Sequence, residues 1–195
     1  MRSTTRLSGM IPPRAFGPCG RSALFGREGG DRRRRCQAAA AVLCAGAMSD
    51  ASRLHPSRPF IAVSLAVMRD GATLVARRAR APGEGLWSLP GGAVEVGETL
   101  REAAARETLE ETGVVAEALA FVDHVEIVER DRDGAVRLHY VVAGFVGRWL
   151  SGEARPGPEA SEVAWVDPLR GPPGPSTRGL GAHLRRAAAI ADAKP

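Results

Sequence analysis

Lysine is almost missing from this 195-residue chain: Lys194 is the only one, and arginine supplies nearly all the positive charge. That excludes a P-loop nucleotidase, because no G-x-x-x-x-G-K can be written. Cysteine is as restricted. Cys19, Cys36 and Cys44 all fall within residues 1–47. The remainder therefore needs no disulfide and offers no thiol chemistry. Aromatic residues make up only 5% of the chain, too few for a stacking platform that binds single-stranded nucleic acid. No apolar run is long enough to span a bilayer, so no membrane partner is expected.

The positive charge is confined to one end. Residues 1–47 hold nine arginines against Glu28 and Asp31, a net +7, whereas the whole chain is +5; residues 48–195 therefore carry −2. The pI of 10.0 makes no case for a nucleic-acid partner of that larger part. Residues 1–57 read as an N-terminal extension and 58–195 as the folded domain. Residues 1–47 lack helical or strand periodicity and are rich in Arg, Gly and Ala. Three readings apply to them: a disordered segment or a start at Met48, a targeting peptide, or a basic arm carried by Arg32–Arg35. None alters what the domain does.

The domain alternates strands with few helices. Residues 59–79 read as two strands joined at Asp70-Gly71, a strong hairpin signal. Residues 83–92 form a loop with a short extended piece, and 93–96 alternate like a short strand. Thr99 and Glu102 fit a capping box opening a helix, in which Leu100, Ala103, Ala104 and Thr108 form a buried strip. Gly113 suits the left-handed position that ends it. Residues 114–130 and 135–150 are β-rich and joined by a polar turn, 162–167 is a further strand, and 179–193 is a C-terminal helix. One helix among strands implies an α/β domain with a mixed sheet.

The central helix carries an apparent fault. Glu107, Glu110 and Glu111 lie at i, i+3 and i+4 spacing, where like charges repel by ~0.2–0.5 kcal/mol per pair. At 100° per residue they share an arc of about 100° on the side of the buried strip. A solvated helix laced with ion pairs would explain acidic residues, but not acidic residues turned inward. Inward carboxylates need a counter-charge, and Arg106 alone cannot balance three. A divalent cation can. With oxygen donors and no nearby His or Cys, the set favours Mg²⁺, Mn²⁺ or Ca²⁺ over zinc.

From Gly92 the sequence reads G-(5)-E-(7)-R-E-T-L-E-E-T-G-V: Gly92, Glu98, Arg106, Glu107, Glu110, Glu111, Gly113 and Val114. This 23-residue run resembles the Nudix box of the Nudix hydrolases, with Thr108 where the family usually has an aliphatic residue. The flanking "GLWSLPGG" and "EVAWVD" extend the likeness over about residues 58–170. The resemblance implies an α/β/α sandwich with a mixed sheet. It also implies an enzyme that hydrolyses the pyrophosphate of a nucleoside diphosphate linked to another group, with Mg²⁺ or Mn²⁺ as cofactor. On the same basis Glu107, Glu110 and Glu111 hold the metal, and Gly92 adds a backbone carbonyl. Glu98 supports the site or ligates an additional metal, and Arg106 orients Glu107. The general base is Glu107 or an acid on a later loop, Glu159 or Glu162.

The box specifies the bond and not the leaving group. Residues 125–145 resemble bacterial members described as ADP-ribose pyrophosphatases, although the proline that one such group carries about sixteen residues beyond the box is replaced by Arg130. ADP-ribose or a similar nucleotide sugar is the expected substrate. The alternatives are a house-cleaning triphosphatase for oxidised nucleotides, or a non-catalytic nucleotide-binding module, against which the intact acids argue. Arg77, Arg78 and Arg80 are candidate phosphate contacts, while Trp87, His139 and Tyr140 read as packing residues. A cytoplasmic enzyme acting on a small nucleotide derivative is expected; dimers are common in the family, and nothing in the sequence decides for or against one.

Overall fold

A computed structural model describes residues 53–193. Most of the segment read as an extension, including all three cysteines, lies outside these residues.

Six strands and two helices follow in the order β1 (Phe60–Arg69), β2 (Ala72–Arg78), β3 (Trp87–Ser88), α1 (Leu100–Thr112), β4 (Val115–Arg130), β5 (Val136–Ser151), β6 (Ala160–Val166) and α2 (Leu180–Asp192). The sheet runs β3-β2-β1-β5-β4, with β6 on the other edge of β2. It is mixed, since β1 and β5 are parallel and the remaining pairs antiparallel. Asp70 and Gly71 both take positive φ, 50° and 77°, the type I′ turn that matches strand twist.

Alternation along β1 builds both faces of the core. Val63, Leu65 and Val67 join Ala103 and Ala104 of α1 on one side; Ala66, on the other, joins Leu184 and Ala187 of α2. The result is the expected α/β/α sandwich. Small residues on the inner face of α1 let its backbone sit close to the sheet. Leu100 is not part of that strip: at 38% exposure it lies on the outer side of the first helical turn. Thr99 and Glu102 form the reciprocal capping box, and Gly113 ends the helix at φ 71°.

Residues 93–96 are not a strand. Ala93 makes a single bridge to Ala62, and the segment instead serves as the rim of a gap. β1 and β2 pair only at their hairpin end, Met68 to Thr73 and Arg69 to Ala72. Farther along they diverge, and residues 90–94 fill the opening. Leu65 N–H donates to the Pro90 carbonyl, Val63 N–H to Gly92, and Val94 N–H to Ile61. The Gly91-Gly92 loop is thereby held against the open half of β1. Trp87 is buried at 3% exposure and packs in the core on the α2 side.

Candidate active site

The site is built where α1 passes behind the 90–94 loop. Glu107 lies against Gly92 so closely that a Cβ there would stand 2.5 Å from the carboxylate carbon. Only glycine fits. Gly91 is packed as tightly against the backbone of Val63 and Ser64, and its N–H donates to Glu111 Oε2 at 3.1 Å. The two glycines therefore bring a backbone turn against two inward carboxylates.

Arg106 is the hub of the cluster. It grips Glu98 with two bonds, Nη2 to Oε1 at 2.7 Å and Nε to Oε2 at 3.1 Å. Its Nη1 reaches Glu107 Oε1 at 2.9 Å and Glu110 Oε2 at 3.3 Å, and Nη2 also donates to the Ala93 carbonyl at 3.1 Å. One guanidinium thus ties the loop to the helix and fixes the orientation of Glu107. Glu98 is held below the usual carboxylate range chiefly by its bonds from Arg106. Glu102 is absent from this group because it is engaged in the helix cap.

The charges do not balance. Arg106 faces three acids, and Glu111 receives none of its bonds. Burial raises Glu107 despite its contact with Arg106. Burial pushes Glu111 further, to about 7, against the pull of the Gly91 N–H; the neighbouring Glu107 and Glu159 add to the rise. Glu110 is the outermost of the three box acids, its side chain 49% exposed.

Glu159 is a second-loop acid that sequence reasoning could name but not place. The loop after β5 caps the C-terminal end of α1: Arg155 N–H donates to the Thr112 carbonyl at 2.8 Å and Gly157 N–H to Glu111 at 2.7 Å. A Cβ on Gly157 would strike the Glu110 and Glu111 carbonyls, so glycine permits this approach. The Glu159 carbonyl then accepts from Ala79 N–H at 2.9 Å, which anchors Glu159 beside the end of β2. Its charge is felt by both Glu107 and Glu111. The rival acid, Glu162, is drawn away and pairs with Arg77 at 3.7 Å. Arg78 lies close enough to Glu111 to lower it through space, and its Nε donates to the Pro82 carbonyl at 2.8 Å.

The donor set suits a hard divalent cation: every candidate ligand atom is an oxygen, two carboxylates are half-buried, and positive charge is short. Among the described residues, no three acid, histidine or cysteine side chains are gathered closely enough to hold a metal as they stand. Part of the reason is visible, since Arg106 engages three of the candidate ligands, Glu98, Glu107 and Glu110. The expected box residues Gly92, Glu98, Arg106, Glu107, Glu110 and Glu111 do converge on one corner of the fold.

Known proteins resemble this chain over its described domain. A family model described as the NUDIX domain matches residues 58–178. The chain is 33% identical over 114 residues to an ADP-ribose pyrophosphatase of Methanocaldococcus jannaschii, covering 58% of this chain and 63% of that protein. It is 48% identical over 66 residues to a putative 8-oxo-dGTP diphosphatase of Mycobacterium tuberculosis, covering 33% and 47%. The chain therefore spans less than two thirds of the length of these relatives. Among solved structures, a MutT NUDIX hydrolase from Burkholderia pseudomallei aligns at 30% identity with a TM-score of 0.58, covering 66% of this chain and 98% of its own. With the box assembled on α1 and the family match running through it, the chain belongs to the NUDIX domain family of hydrolases.

Proposed function

We propose that this protein hydrolyses the pyrophosphate bond of a nucleoside diphosphate linked to another group, most simply ADP-ribose or a similar nucleotide sugar, with Mg²⁺ or Mn²⁺ as cofactor. One observation carries the reading: Glu107 and Glu111 are half-buried against Gly91-Gly92 with too little positive charge to offset them. Carboxylates kept in that state at a structural cost suit cation binding.

In this reading Glu107 and Glu111 hold the cation from the helix, Glu110 from the outer side, and the Gly92 carbonyl from the loop. When bound, the cation neutralises phosphate oxygens and acidifies a coordinated water. Arg106 keeps Glu107 and Glu98 aligned. Glu159 is the base favoured over Glu162, because it stands beside the inward carboxylates while Glu162 is held by Arg77. A water oxygen bonds to phosphorus, the bridging P–O bond breaks, and the water proton passes to the carboxylate. Arg78 lies on the same corner and is suited to a phosphate oxygen. Positioning and charge stabilisation supply most of the acceleration.

ADP-ribose is supported by the longer of the two curated alignments, a relative named for that substrate. A second reading, hydrolysis of oxidised nucleoside triphosphates, is supported by the higher identity of the shorter one. The test is a screen of the full chain with Mg²⁺ or Mn²⁺ on ADP-ribose, NADH, dinucleoside polyphosphates and 8-oxo-dGTP. Release of AMP and ribose 5-phosphate from ADP-ribose at the highest kcat/KM is expected. Preference for 8-oxo-dGTP, with release of pyrophosphate, would favour the second reading. Turnover of none would overturn both.

A further inference from the structure

Away from the carboxylates, the guanidinium of Arg69 is held between two indoles. Its central carbon lies 4.4 Å from the ring centre of Trp149 on β5 and 5.7 Å from that of Trp165 on β6. Arg69 pairs with Ala72 at the β1–β2 hairpin, whereas Arg78, beside Glu111, marks the other end of β2. The strand from residue 72 to residue 78, at ~3.3 Å per residue, separates those ends by roughly 20 Å. Both indoles are half-buried and pack against the core on the α1 side, which fixes their rings. Trp149 is pinned further, its Nε1 donating to the Gly152 carbonyl at 3.0 Å.

Stacking engages a guanidinium through its faces and leaves the N–H edge for other partners. Among the described residues that edge has no hydrogen-bond acceptor. The neighbouring carboxylate, Asp70, stands 3.6 Å from Nε, beyond hydrogen-bond reach, and its side chain is 92% exposed. A solvated pair of this kind is weak. Unlike that of Trp149, the indole N–H of Trp165 also has no acceptor among the described residues. The loop after β5 adds Glu153 and Arg155, which cancel in charge. A fixed cation beside an indole N–H, both with donors to spare, is a receptor for an oxyanion. We propose that Arg69, Trp149 and Trp165 bind a phosphate group, as the free ion or on a small phosphomonoester, at a site separate from the catalytic corner. Phosphate is preferred to a carboxylate for two reasons. Its greater charge is attracted more strongly to a single cation. Its tetrahedral shape offers two oxygens to the guanidinium fork and a third to the indole.

The experiment follows tryptophan fluorescence of the full chain titrated with inorganic phosphate or ribose 5-phosphate. It is run in chelator at constant ionic strength, with circular dichroism to confirm folding. Residues 1–47 contain nine arginines that also attract phosphate, so the signal has to come from the indoles and depend on Arg69. A saturable change is expected for the parent, and the tighter of the two ligands identifies the source of the phosphate. Arg69→Gln should weaken binding about tenfold or more, because it removes a charged donor from a fixed pocket. Trp165→Phe keeps an aromatic ring but loses the N–H and should weaken binding about threefold or more. It decides the matter if Arg69→Gln fails to fold. A parent that responds to neither ligand, or a folded Arg69→Gln or Trp165→Phe that binds like the parent, would overturn the proposal. So would acetate binding as tightly as phosphate, or a loss of binding in Arg78→Gln as large as that in Arg69→Gln, which would place the phosphate at the catalytic corner.

Discussion

Glu111→Gln offers the sharpest test of the charge argument, because it should stabilise the metal-free protein while destroying its function. Glu111 is pushed from 4.5 to about 7 in the fold. A carboxyl raised in this way binds its proton more tightly folded than unfolded. Its contribution is therefore favourable at low pH and is lost as pH rises from about 4.5 through about 7. Above that range the native state carries a buried, under-compensated charge costing about 3 kcal/mol, from 1.36 kcal/mol per unit. Glutamine keeps an acceptor for the Gly91 N–H and removes the charge. In chelator at pH 8 the variant should melt higher than the parent by roughly 6–12 °C, taking about 2–4 °C per kcal/mol for a domain of this size. At pH 5 the two should nearly coincide. With Mg²⁺ the parent should gain melting temperature and the variant should gain far less, with turnover abolished. A variant melting at or below the parent at pH 8 in chelator would refute the reasoning, whatever its activity.

Other consequences are separable from this one. Gly92→Ala should cut kcat by about 10²-fold while leaving helix content unchanged, because its Cβ displaces Glu107 without touching the core; hydrolysis assays with circular dichroism decide it. Glu159→Gln should lower kcat by about 10²-fold in hydrolysis assays, whereas Glu162→Gln should stay within a few-fold of the parent. Equal losses in both would remove Glu159 from its role. Thr99→Ala deletes the cap of α1 and should cost about 1 kcal/mol, read as a melting shift of about 2–4 °C, with kcat retained.

What was legible in the sequence were features governed by local rules. The capping box, the stop at Gly113 and the Asp70-Gly71 turn each depend on residues within a few positions, and each stands where expected. The carboxylate arc was legible for the same reason. What sequence could not give depended on contacts between distant segments. Alternation at 93–96 suggested a strand, yet the segment is occupied by backbone bonds to β1 and by Arg106, whose grip on the Ala93 carbonyl spans thirteen positions. Leu100 shares the helical phase of the buried strip but lies where the sheet no longer covers the helix. The choice between Glu159 and Glu162 turned on Gly157 meeting the end of α1, a contact 46 positions distant from Glu111 that leaves no periodic trace.

The placement of the acids argues further that repulsion along α1 is retained for use. Glu110 and Glu111 occupy the last turn, where the carbonyl end of the helix is already negative and basic residues are favoured. That turn contains no basic residue. Loop N–H groups from Arg155 and Gly157 satisfy the Thr112 and Glu111 carbonyls, so the ordinary means of ending a helix is present, while the Glu111 carboxylate receives no bond from Arg106. A sequence selected for stability alone would favour arginine there. Such an arginine would stabilise the helix end and fill, with a fixed side chain, the electrostatic vacancy that an exchangeable cation needs. Under the proposed function, the instability of the acidic strip is the condition for cation binding, and relieving it by mutation at Glu107 or Glu111 should trade activity for melting temperature.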